Sequence, residues 1–333
     1  MSTQNNTREI TIIQAINEAI CEEMQRDEKV ILIGEDVANA QGVFKVTDGV
    51  LNKFGPERIL DTPISEAGIT GVGVGMAMTG LRPIVEIMFC DFLTLTMDAL
   101  VNQAAKTHYM SGGNYQVPLV IRTLMGAGKR AAAQHSQSLQ AWVAHVPGLK
   151  VMLPSTPYDA KGMLKTAIRD NNPVIFFEDK MNYQIKGFVP EPEEEYTIPF
   201  GKADLKREGD DITLVATSSM VLVALDAAEK LGEEGVSAEV IDLRSLTPID
   251  EEMLVESAMK TSRCIVIDEG YQSFGVTAEV ASVINEKAFY HLDSPVQRMG
   301  AMDVPVPFSP VLEDQTIPDV EGVVRVTKQL LDN

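Results

Sequence analysis

The chain has 333 residues, enough for two domains of the usual ~100–200 residues each, and its 45% hydrophobic and 23% charged content is that of a globular protein. With 28 basic against 48 acidic residues and a formal charge of −20, it repels phosphate backbones; this argues against nucleic acid and makes a basic protein surface the better partner, although acidity also serves solubility. No apolar run reaches the ~18–20 residues of a membrane span, the start "MSTQNNTREITII" lacks a secretory signal's basic and apolar regions, and three cysteines without CxxC spacing, Cys21, Cys90 and Cys264, suggest neither disulfides nor a thiolate metal site, so a cytoplasmic protein with no membrane contact is expected.

In chain order, "TIIQAINEAICEEMQRD" predicts a helix, because Ile12, Ile16, Ile20 and Met24 fall on one stripe at helical spacing. The β-branched runs "KVILIGEDV", "RPIVEIMF", "VPLVIRT", "LKVMLP" and "PVIFFED" are apolar on both alternating faces. They read as strands of a parallel sheet covered by helices. A further helix begins where Thr156 can cap it and Pro157 suits its first turn, with Ala160, Leu164, Ala167 and Ile168 on its buried face.

The alternation stops in the proline- and glutamate-rich stretch that follows, so 186–206 is read as a linker between domains at 1–185 and 207–333. Beyond it, "DITLVAT", "SAEVIDL" and "RCIVIDE" read as strands, with helices near 220–231, 250–260 and 274–288. The class is α/β, each domain a mostly parallel sheet covered by helices.

Two familiar motifs fail. From either Gly71 or Gly73, the last position of a G-x-G-x-x-G/A dinucleotide fingerprint is a methionine, Met76 or Met78. The glycine run therefore reads as a tightly packed helix that lets a backbone or ligand come close. "GYQSFG" sets its serine one place too late for a G-x-S-x-G elbow. Glu66, at the mouth of that helix, either complements the helix dipole or waits for a ligand nitrogen. His135 stands in a turn-like stretch after the strand "VPLVIRT", where α/β folds place ligands, whereas His108, His145 and His291 lack such a setting. A lone histidine there also serves structure alone.

Taken together, "DTPISEAGITGVGVGMAMTGLRPIVE", "NQAAKTHYMSGG", "AAAQHSQSLQAW", "HVPGLKVMLPSTPYDAKGMLKTAIRDNNPVIFFEDK" and "PVPFSPVLED" resemble β subunits of thiamine-diphosphate-dependent dehydrogenases of the 2-oxo acid type. The resemblance runs from about residue 10 to 330. "GAGKRAAAQHSQSL" and "YTIPFGKADLKREGDD" look most like acetoin dehydrogenase β subunits, with the pyruvate and branched-chain enzymes close by. It implies two transketolase-like domains, the first binding the cofactor's pyrimidine.

By the same resemblance, Glu66 of "ISEAG" hydrogen-bonds N1′ of the aminopyrimidine and so helps create the cofactor's nucleophilic carbon, with Phe92 packed on that ring and Met88 nearby. His135 of "HSQ" would assist acyl transfer to a lipoyl arm, while Lys129 and Arg130 stand where many relatives carry small neutral residues. A potassium ion would be held by the backbone carbonyls of Leu119, Ala167, Ile168, Asp170 and Asn172; an ordinary helix-to-strand turn is the alternative. Asn171 and Asn172 have no G-D-G about 25–30 residues upstream. Magnesium and the diphosphate are therefore expected on an α subunit in an α2β2 heterotetramer. The remaining implied partners are a lipoyl domain and the acyltransferase core, reached through that core's basic subunit-binding domain. A non-catalytic assembly subunit is the rival reading.

Overall fold

The computed structural model describes residues 7–332; the first six residues of the polar start, and the outer ends of the two expected domains, lie outside them. The chain divides into two compact units, one running to Met125 and resuming over Trp142–Phe200, the other formed by Gly126–Ala141 and the residues from Gly201 onward.

In the first unit, the expected strands form a parallel sheet in the order Lys150–Met152, Val174–Asp179, Val120–Met125, Arg82–Phe89, Val30–Gly34, Ile59–Asp61. The helix Ile12–Arg26 starts at a capping box, in which Thr11 accepts from the Gln14 N–H and Gln14 returns a bond to the Thr11 N–H. Thr156 caps the helix Pro157–Arg169 in the predicted way. Both helices turn their apolar stripes into one core with the sheet. Ile16 and Ile20 are fully buried there, a burial worth about 1.5–3 kcal/mol for each side chain.

The expected linker differs from what its composition suggests. Lys186–Pro190 is a strand paired antiparallel with Thr7–Thr11, and Glu195 receives ion pairs from Lys165 and Arg169 at the end of the capped helix. Asp204–Arg207 is likewise a strand. Prolines and glutamates hid this because edge pairing uses the backbone, and those glutamates meet lysines and arginines that lie far away in sequence. The other departure is the stretch 126–141, which leaves the first unit although it directly follows a central strand of it.

The second unit is built around the order Gln297–Ala301, Cys264–Tyr271, Ile212–Ala216, Ala238–Asp242, all parallel, with Asp204–Arg207 antiparallel at the edge. Helices Met220–Glu233 and Val320–Leu331 share one core with this sheet, and Glu251–Thr261 and Val276–Ala288 share another. No helix among the described residues is long and apolar enough to cross a membrane.

Candidate functional site

The carboxyl edge of the first sheet collects the chemistry. Glu66 opens the helix Glu66–Met78, which follows the edge strand Ile59–Asp61. The glycines of that helix divide by face. A Cβ on Gly73 would stand 2.6 Å from Val85 Cγ2 and 3.3 Å from Leu119 Cδ1, so the helix must lack a side chain where it lies on the sheet. At Gly71 and Gly75 nothing stands within 4 Å, and these glycines leave an open, nearly flat face. Glu66 itself is half-buried. No hydrogen bond or ion pair to its carboxylate occurs among the described residues.

Met88 and Phe92 come from the next strand and the turn after it. In the register Ile87 lies opposite Thr123 and Phe89 opposite Leu124, so Met88 is the extra residue of a β-bulge. A bulge at the end of a strand changes the local side-chain alternation, and Met88 lines a small cleft with Gly42, Phe44 and Thr123. Phe92, in the single turn Cys90–Phe92, meets Phe89 edge-to-face with centroids 6.2 Å apart.

Sequence reasoning passed over two features at this edge. Glu35 directly follows the strand Val30–Gly34, and burial together with the negative charges of Asp36 and Glu66 raises its pKa above the usual carboxylate value. Its position after a strand in "VILIGEDV" was the available signal. The second is a buried charge group: Arg122 Nε donates to Glu178 Oε1 at 2.7 Å, Arg122 Nη1 donates to Glu86 Oε2 at 2.8 Å, and the Tyr183 hydroxyl donates to Glu178. Burial pushes the Glu86 carboxyl up, against the pull of Arg122. A charged residue within each of three neighbouring, otherwise largely apolar strands was the signal here.

Four of the five carbonyls read as a cation site, those of Leu119, Ala167, Ile168 and Asp170, are already engaged. Arg82 donates from Nε to Ile168 O at 2.8 Å and from Nη2 to Asp170 O. Leu119 O accepts from Val174 N at 2.8 Å, and Ala167 O accepts from Asp170 N at 3.3 Å. Asn172 turns its backbone and side-chain N–H groups to Asp170 Oδ1. Each carbonyl keeps a second lone pair, but the Arg82 guanidinium supplies positive charge to this oxygen cluster without any ion.

His135 belongs to the second unit. It is half-buried, and its N–H donates to Ala132 O at 3.3 Å. Three buried carboxylates hold the stretch that carries it. Asp268 receives Gln140 Nε2 on both oxygens, Glu269 receives the Ala127 N–H at 2.6 Å, and Glu313 receives the Gly128 N–H at 2.7 Å. Glu66, Met88 and Phe92 thus share one sheet edge of the first unit, while the structure sets His135 in the other unit.

Residues 8–186 match the family model described as the transketolase pyrimidine binding domain, and residues 201–323 match the transketolase C-terminal domain. The chain is 51% identical over 336 residues to the acetoin:2,6-dichlorophenolindophenol oxidoreductase subunit beta of Bacillus subtilis (strain 168), covering 97% of this chain and 98% of that relative. The chain belongs to the β subunits of the acetoin and 2-oxo acid dehydrogenases. Two other members of this family are similar to it over 97% of its length: the pyruvate dehydrogenase E1 component subunit beta-1 of Arabidopsis thaliana, at 47% identity and 89% coverage of that protein, and the 2-oxoisovalerate dehydrogenase subunit beta of Bacillus subtilis, at 44% and 99%. A solved split-gene transketolase, described as an inactive β4 tetramer, superposes with a TM-score of 0.80 at 25% identity, covering 97% of this chain and 98% of that one.

Proposed function

We propose that this β subunit, paired with an α subunit as α2β2, cleaves acetoin with thiamine diphosphate and passes the acetyl group to lipoamide. The observation that carries the reading is the half-buried Glu66 carboxylate, without a hydrogen-bond or ion-pair partner among the described residues, in the first turn of the helix Glu66–Met78. An aminopyrimidine fits these residues: the carboxylate answers a ring nitrogen, and Phe92 and Met88, from the same sheet edge, offer apolar contact. Bound thiamine diphosphate would supply the nucleophilic carbon and the electron sink that this carbanion chemistry needs.

This chain's own residues orient and move protons. Glu66 holds a proton at the ring nitrogen. His135 assists the acyl group's passage to the lipoyl sulfur by binding its oxygen or moving a proton. Magnesium and the diphosphate fall to the α subunit, and the acidic surface suits the basic subunit-binding domain of an acyltransferase core. The proposed compartment is the cytoplasm, and the proposed domain division remains 1–185 and 207–333 about the 186–206 segment. A potassium ion at the Leu119, Ala167, Ile168, Asp170 and Asn172 carbonyls would share those of Ile168 and Asp170 with Arg82; a melting temperature lower in tetramethylammonium than in potassium would support it, and equal values would remove it.

Dye-coupled oxidation by the chain co-purified with its α subunit, with thiamine diphosphate and magnesium, tests the substrate. Preference for acetoin over pyruvate and branched-chain 2-oxo acids supports the narrow reading. Preference for an oxo acid transfers the same chemistry to that substrate, a second reading favoured by relatives at 47% and 44% identity. Cofactor binding without turnover of any of them would point to a different substrate or to the assembly role. For His135→Ala, lipoyl acylation is expected to fall by about 100-fold or more. A loss no greater than that of an exposed-loop control would end the assignment.

A further inference from the structure

We infer that Arg130 is a positioning residue, whose ion pairs with Glu313 and Asp314 hold the 126–135 stretch, and with it His135, in the arrangement used for acyl transfer. The inference rests on the proposed role of His135; the clamp itself stands on geometry within the second unit.

The backbone of this stretch is unusual. Gly126, Gly128, Arg130 and Ala132 all have positive φ, at 98°, 92°, 59° and 62°. Glycine adopts such angles freely, whereas a residue with a side chain is strained there and persists only where its surroundings hold it. For Arg130 the surroundings are visible. Nη1 donates to Glu313 Oε2 at 2.9 Å and to Asp314 Oδ1 at 2.6 Å, and Nη2 donates to Asp314 Oδ2 at 3.2 Å.

Glu313 connects side chain to backbone. Its side chain is 0% exposed. One oxygen takes the guanidinium and the other takes the Gly128 N–H. A buried carboxylate that loses its cation either takes up a proton or turns toward water. Either change weakens the bond to Gly128, because the N–H binds the charged form most strongly. The turn that carries His135, closed by the His135 N–H on Ala132 O, then loses one of its anchors. Arg130 therefore acts through Glu313, and it need not touch substrate.

The α-paired enzyme carrying Arg130→Ala, Arg130→Lys or Arg130→Gly tests this with two readouts. Amide hydrogen exchange at Gly128 reads the clamp without any reaction, and is expected to quicken about tenfold or more in Arg130→Ala. Lipoyl acylation is expected to fall by about 10- to 100-fold, the cost of a misplaced catalytic group, with a smaller change in dye reduction. Arg130→Lys should recover part of both. Arg130→Gly removes the strain together with the anchor, and should behave like Arg130→Ala. Unchanged exchange at Gly128 in Arg130→Ala would overturn the clamp. Faster exchange with normal acylation, or wild-type acylation in Arg130→Gly, would overturn the positioning role. If the wild-type pair fails to acylate lipoamide at all, the proposed function and the positioning role fall together, while the exchange result still judges the clamp.

Discussion

Glu66→Gln is expected to cut turnover by about 100- to 10,000-fold, the usual loss when a positioned acid or base is removed, while the chain still folds. The substitution keeps the shape and the polar contact but removes the charge that would hold a proton on the ring nitrogen. Stability should not fall, and the reason lies in Glu35. The Glu66 charge is one of the causes that raise the Glu35 pKa, so the folded state binds the Glu35 proton more tightly than the unfolded chain does. That linkage makes stability decline as pH rises from the unfolded carboxylate value through the raised folded one. With Glu66 neutral, one source of repulsion disappears. The Glu35 titration, followed by carbon NMR of its carboxyl, should move to lower pH in the variant. Wild-type turnover in Glu66→Gln would remove the proposed role; a melting temperature well below wild type at neutral pH would show instead that the carboxylate supports the fold.

Arg122→Leu is expected to destabilise the first unit by about 3–5 kcal/mol, the cost of breaking a buried ion pair and leaving its partner charged. Arg122 is 2% exposed and Glu178 1% exposed, so water cannot replace the lost guanidinium. Trp142, the chain's one tryptophan, lies in this unit and is a suitable reporter in urea unfolding. Replacing Glu86, Arg122 and Glu178 together by apolar residues of similar volume should recover most of the loss, because no uncompensated charge remains. A cost below about 1 kcal/mol for Arg122→Leu would place the pair in the range of a surface ion pair and defeat this account.

The sequence determined the elements whose signals are local. Stripe spacing and caps located the helices Ile12–Arg26 and Pro157–Arg169, and runs apolar on both faces located the central strands. Glu66 was visible as a charge at the mouth of a small-residue helix. Its motif, long and ordered, also carried the family. These features depend on neighbours within about one helical turn or one strand, which a linear reading sees.

Tertiary structure decided the rest. Glu191 and Glu195 looked like part of a solvated linker, yet they meet Arg8, Lys165 and Arg169. Met88 was set near the cofactor ring by resemblance alone, and only the pairing with Val120–Met125 showed it to be the extra residue of a bulge. Arg122 joined two glutamates only once three strands lay side by side. Glu313, far along the chain, proved to hold the stretch leading to His135. In each case the deciding partner lies from about 30 to more than 180 residues away. Such pairings depend on which strands become neighbours and which helix closes over them, a choice made by the packing of the whole unit and not by any local run of residues.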